Sequence, residues 1–77
     1  MSKPEKCVPL LNWMRQASAK EIEKTGTTIG MLRQIAHGHR AASAKRAVLI
    51  EIASAGQVTR QDLRPNDWPE VWPELAA

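Results

Sequence analysis

Few residues in this chain have the type and spacing for chemistry. His37 and His39 form a His-x-His pair. A zinc site asks for four ligands at suitable spacing, and the single thiol, Cys7, stands thirty positions upstream with no further histidine to join it. No metal site is expected. Ser18 and Ser43 stand just before helical patterns, where a hydroxyl serves as an N-cap, and neither has an identifiable base. Glu21 and Glu23 are two residues apart, a spacing that does not bring helical side chains face to face. A glycine-rich loop that would cradle phosphates is missing. The residues therefore predict a protein that is not an enzyme and needs no cofactor.

Recognition is the chemistry that remains. Arg33 can fork onto guanine N7 and O6, and Gln34 can pair with an adenine edge, each contact contributing roughly 1–3 kcal/mol of discrimination. Thr28 opens a helix whose free N–H groups and dipole favour a phosphate. Gly30 has no side chain to hold a duplex away from the backbone. Arg40, Lys45 and Arg46 follow closely and suit phosphate contacts that set register. His37 and His39 read as a helix-end residue and a loop residue, one of them near phosphate. The competing reading of these residues is an ordinary solvated helix face.

The elements that must position them follow from apolar spacing and caps. Leu10, Trp13, Met14 and Ala17 share one helical face behind Pro9, a residue tolerated in a first turn. Ser18 and Glu21 have capping-box spacing, which predicts a second helix from Ala19 to Thr25. Gly26 stands where a left-handed residue ends a helix. Thr28 caps a third helix, Ile29 to His37, with Leu32 and Ile35 inward and Gly38 as its stop. Ser43 caps a fourth, Ala44 to Ala55, closed by Gly56. Its residues Ala47, Val48, Leu49, Ile50 and Ile52 are apolar over much of the circumference, so it is a core helix or also lines a partner interface. Thr59 caps a single turn, Arg60 to Leu63, before Pro65. Trp68, Val71, Trp72 and Leu75 then recur at helical spacing.

Two short helices joined by a glycine turn are the form of a helix-turn-helix, whose second helix enters the major groove. With 77 residues the chain holds one domain. It divides into a flexible lead-in (1–8), a helix-turn-helix domain (9–57) and a C-terminal extension (58–77). Hydrophobic residues are 43% and charged residues 25%, ordinary for a folded domain. There is no Phe or Tyr, so Trp13, Trp68 and Trp72 supply all aromatic packing. Trp68 and Trp72 either cover the core or form a partner motif. The net charge of +3 is uneven: residues 1–57 hold nine basic and four acidic groups, and residues 58–77 hold two and four. A basic body with an acidic tail suggests that the body meets a polyanion. One cysteine, no signal-like N-terminus and no membrane-length apolar run predict a soluble cytoplasmic, nucleoid-associated protein.

The string Met31-Leu32-Arg33-Gln34-Ile35-Ala36-His37-Gly38-His39-Arg40, followed by Ser43, resembles the recognition helix of phage Cro-like repressors. Val58-Thr59-Arg60-Gln61-Asp62-Leu63-Arg64-Pro65-Asn66-Asp67-Trp68, with Trp72-Pro73-Glu74-Leu75, resembles the C-terminal motif of the Cro/YdaS antitoxin family. Together the two strings lie within residues 18–75. The resemblance implies an all-α, lambda-repressor-like helix-turn-helix domain of four to five short helices with a Trp-containing tail. It implies a prophage-type transcriptional regulator, some of whose relatives are called antitoxins. It places groove-facing positions at Thr28, Ile29, Gly30, Arg33, Gln34 and His37, the turn glycine at Gly26, and buried positions at Leu32 and Ile35. The chain departs from the family at Glu21, Ile22, and Thr25 or Thr27, which leaves the register of the second helix open. The expected partner is a double-stranded DNA operator bound by a homodimer, with helix 4 or the tail as the dimer surface. The rival expectation is an antitoxin that neutralises a toxin protein through Trp68, Val71, Trp72 and Leu75. RNA binding is a weaker reading, since such modules favour exposed stacking aromatics and no Trp falls on helix 3.

Overall fold

In the computed structural model, which describes residues 6–76, the chain is all-helical, with no strand among the described residues. Of the lead-in, residues 1–5 lie outside that range. The helices are α1 (Val8–Gln16), α2 (Ala19–Lys24), α3 (Ile29–Ala36), α4 (Ala44–Ala53), α5 (Arg60–Leu63), α6 (Trp68–Val71) and α7 (Pro73–Ala76).

Each of the four central starts is set by a hydroxyl one residue before the helix. Ser18, Thr28, Ser43 and Thr59 accept the backbone N–H of Glu21, Met31, Arg46 and Asp62. Ser18 with Glu21, and Thr59 with Asp62, close reciprocal capping boxes. A cap of this kind contributes about 1 kcal/mol. The box at Ser18 settles the register of α2, because only a start at Ala19 satisfies both of its bonds.

The core gathers one side of each element. Leu10, Trp13, Leu32, Ile50 and Val58 are essentially sealed from solvent, and Ile35, Ala36, Ala42, Ala47, Leu63 and Trp72 join them. α1 packs on α3, and α4 lies between α2 and α5. The tail closes this same core: Val58, Leu63 and Trp72 are all buried, while Trp68, Val71 and Leu75 are half-buried against it.

α2 and α3 each end one residue before the expected bound, at Lys24 and Ala36, and two larger differences from the sequence pattern stand out. α4 stops at Ala53, not Ala55, because a Schellman turn closes it. Ala55 N–H donates to Ile52 O and Gly56 N–H to Glu51 O. Ala55, at φ 53, takes the position after the C-cap that the pattern assigns to Gly56, and Gly56 is left-handed too, at φ 84. Ser54 is buried at this turn, and its Oγ accepts Val58 N–H at 3.0 Å. The second difference is in the tail. The spacing of Trp68, Val71, Trp72 and Leu75 predicts one helical run, but the chain breaks at Trp72. Trp72 precedes Pro73, and a proline ring clashes with an α conformation of the preceding residue. Arg64 precedes Pro65 and ends α5 for the same reason. The two residues share almost the same backbone, φ −132 and ψ 63 at Arg64, φ −129 and ψ 72 at Trp72. The tail's one expected run is thus split into the single-turn helices α6 and α7, while α5 is the single turn that the Thr59 cap predicts, and seven helices stand among the described residues where four to five were expected.

Candidate nucleic-acid interface

α3 divides cleanly between an inner and an outer side. Leu32, Ile35 and Ala36 are buried. Thr28, Ile29, Gly30, Arg33 and Gln34 are exposed, and His37 is half-exposed at the C-cap. These outward positions run i, i+1, i+4, i+5 and i+8 from Ile29, a single helical face. The side chains of Arg33 and Gln34 have no hydrogen-bond or ion-pair partner among the described residues, so their donors are left for an outside acceptor.

The start of α3 is built for close approach. Thr28 accepts Met31 N–H at 3.2 Å, and Leu32 N–H donates to Thr28 O at 3.0 Å. The N–H groups of Ile29 and Gly30 take no partner within the helix, as for any helix start. Ile29 is 40% exposed, an apolar side chain on an otherwise polar surface. A Cβ on Gly30 would meet only Thr28 Oγ1, at 3.8 Å, an ordinary contact. Nothing inside the fold asks for glycine there.

The turn before α3 is the opposite case. Gly26 has φ 75, and a Cβ there would fall 2.7 Å from Arg46 Nη1. Thr25 beside it is sealed from solvent, and its hydroxyl donates to Ile22 O at 2.6 Å. Arg46, from the first turn of α4, donates through Nη1 to Thr25 O.

The remaining positions from the sequence spread outward from this centre. The His37 and His39 rings stand 6.5 Å apart at the end of α3. His39 is exposed on the loop that a Schellman turn at Gly38 begins, where its N–H donates to Gln34 O at 2.9 Å. Arg40 is exposed but turned to another side, lining a cavity of about 390 Å³ with Lys6, Asp62 and Asn66. Lys45 is exposed on the first turn of α4. So Thr28, Ile29, Gly30, Arg33, Gln34 and His37 form one patch. His39 lies at its margin beside His37, Lys45 is exposed on α4, Arg40 lines a separate cavity, and Arg46 is engaged with the protein's own backbone. Among the described residues no cluster of three potential metal ligands occurs, and no helix is long and apolar enough to cross a membrane.

Comparison with known proteins bears on this surface. A prophage transcriptional regulatory protein of Escherichia coli (strain K12) is 38% identical over 47 residues, a stretch covering 61% of this chain and 71% of the relative. No family model matches the chain. The chain belongs to the family of that prophage regulator.

One basic residue escaped the sequence reading. Arg15, in the last turn of α1, lines a groove of about 290 Å³ with Leu11, Met14, Ile29, Arg33 and His37. It thereby extends the basic patch of α3 onto α1. Its only signal in the sequence was its charge, since the approach of α1 to α3 is a tertiary contact.

Two ionisable groups are displaced from their ordinary values. Glu21 is held below the usual carboxylate value, first by the Ser18 backbone N–H and then by its hydroxyl. The indole N–H of Trp13 adds a smaller effect in the same direction. Cys7 is pushed up, mainly by burial, with a smaller contribution from Asp62 opposed by the Leu10 backbone. Its thiol donates weakly to Asp62 O at 3.6 Å, and its N–H donates to Ala36 O at 2.7 Å. It is a tether between the chain start, α3 and α5, and a poor nucleophile.

Proposed function

We propose that this protein is a sequence-specific DNA-binding transcriptional regulator of the Cro-like type, inserting α3 into the major groove of an operator as a homodimer. The observation that carries the reading is the outer face of α3. Arg33 and Gln34 stand exposed and unpartnered on the second helix of a helix-turn-helix, beside an uncovered helix start and a glycine that the fold does not require. The printed description of the relative, a transcriptional regulatory protein, supports the same reading. Arg33 and Gln34 read base edges, Ile29 meets a thymine methyl, and Thr28, His39 and Lys45 hold phosphates. A two-fold dimer would place two such helices in successive major grooves, about 34 Å apart. The Cro/YdaS resemblance places the regulator in a prophage or toxin–antitoxin operon.

The protein-partner reading of the tail is the less favoured one. One of its two tryptophan anchors, Trp72, is 8% exposed and lies in the core.

The test is a titration of purified protein against a fluorescent duplex that it has itself selected from a random-sequence library, beside a scrambled duplex, at two salt concentrations. Preference for the selected duplex that survives the higher salt is the expected result, and its stoichiometry reads the dimer. Equal, salt-sensitive binding to both would leave a merely basic surface and would overturn the operator-reading role.

A further inference from the structure

Among the described residues, Arg46 carries the one long-range side-chain hydrogen bond into the helix-turn-helix turn. Its guanidinium reaches back from α4, 21 positions along the chain, to the carbonyl of Thr25. Thr25 is the C-cap of α2, and its carbonyl is one that the short helix leaves without an intrahelical partner. A cation is favoured at such an end both as a donor and by the local dipole. The same Nη1 occupies the space that a side chain at position 26 would need. The guanidinium and the absent Cβ of Gly26 therefore fit each other. Thr25 itself is buried, so the turn is held from inside by its hydroxyl and from outside by Arg46.

We infer that Arg46 is a positioning residue that locks the turn between α2 and α3, and so fixes the angle at which α3 is presented, and that it is not a phosphate ligand. This rests on the DNA-binding reading for its consequence, but the lock itself exists without DNA. A free arginine near a duplex would contribute affinity without regard to sequence. An arginine tied to the turn acts through Arg33 and Gln34, and so through discrimination.

The two roles separate in one set of variants. Arg46→Ala removes the guanidinium, and Arg46→Met keeps the stem beside Leu49 should the alanine variant fail to fold. Without DNA, amide hydrogen exchange at Gly26 and Thr27 should speed up at least tenfold in the variant, while Leu32 and Ile50 in the core stay protected. With DNA, binding to the selected duplex should fall at least tenfold more than binding to a random duplex. The slope of log affinity against log salt should stay as in the parent. Unchanged exchange in the turn would overturn the lock. Equal losses on both duplexes, with the slope reduced by roughly 0.9 as for one lost phosphate contact, would overturn the positioning role and make Arg46 a DNA ligand. If the parent protein binds neither duplex, the DNA reading falls, and the exchange result alone decides whether Arg46 locks the turn.

Discussion

The outer face of α3 and the C-terminal tail both contain arginine, and the fold treats them in opposite ways. In the tail, Arg60 pairs with Glu51 at 2.9 Å and lies 5.5 Å over the Trp72 ring. Arg64 forks onto Asp67, at 3.1 and 2.5 Å, and donates to Ala42 O at 2.5 Å. Both guanidinium groups are mostly covered. On α3, Arg33 meets no acid and no carbonyl among the described residues. The tail spends its positive charges on attaching itself to the body, while its exposed Glu70 and Glu74 remain outward. Segment charge already marked the tail as acidic. What the tail offers to a polyanion is more negative still, which supports the proposal that α3 and its flanks meet DNA. Residue type does not decide which arginines the fold engages; the nearness of an acid, a carbonyl or a buried aromatic does.

The sharpest way to break this contrast is Trp72→Ala. Truncating a buried tryptophan costs about 3–5 kcal/mol, against a total stability of roughly 5–15 kcal/mol for a domain. Thermal unfolding followed by circular dichroism should show a large drop or loss of the folded state. An unchanged melting temperature with loss of DNA binding would move the interface from α3 to the tail.

Arg33→Ala tests the other side of the contrast. It should leave the melting temperature unchanged and lower affinity for the selected duplex by about 1–3 kcal/mol, with little effect on a scrambled one. Retained discrimination in a competition titration would remove Arg33 from the base-reading set.

Gly30→Ala sharpens the point further, because stability and function should move in opposite directions. Alanine in a helix interior gains up to about 1 kcal/mol over glycine, and the fold leaves room for it. The variant should melt higher and bind the selected duplex more weakly. A variant that melts higher and binds equally would show that the duplex never comes close to position 30.

The smallest effect concerns Glu21. Its lowered folded-state value means that the capping box contributes its full stability above the ordinary glutamate value, about 4.3, and loses it as pH falls through the lower folded value. Glu21→Gln keeps a side chain suited to the box but does not titrate. Melting temperature should fall less steeply in the variant than in the parent below about pH 4.3. Parallel curves would show that the carboxylate of Glu21 is not what the acid limb reports.

Much of this protein was legible in its sequence because much of it is local. Ser18, Thr28, Ser43 and Thr59 act as caps because a hydroxyl three residues before a backbone N–H reaches it whatever the rest of the chain does. Leu32 and Ile35 inward, with Arg33 and Gln34 outward, follow from the turn of a helix. Gly26 follows from the backbone reversal that two adjacent helices need. Other features came only with the tertiary structure. Helix ends are decided by competition between nearly equal turns, so α4 closed early, with Ala55 left-handed ahead of Gly56. The tail's helical spacing was real, but the local veto of Pro73 on Trp72 outweighed it, and the side chain was buried regardless. Arg15, Arg46, Arg60 and Arg64 share a formal charge; from sequence alone Arg46 read as a phosphate contact, and the other three counted only in the balance of charge. Only the packing of α1 on α3, of α4 against the turn and of the tail on α4 decided which of them meet a carbonyl, a carboxylate or open solvent. A long flexible side chain takes its partner from whatever lies within its reach in space, and that neighbourhood is set by contacts between distant segments.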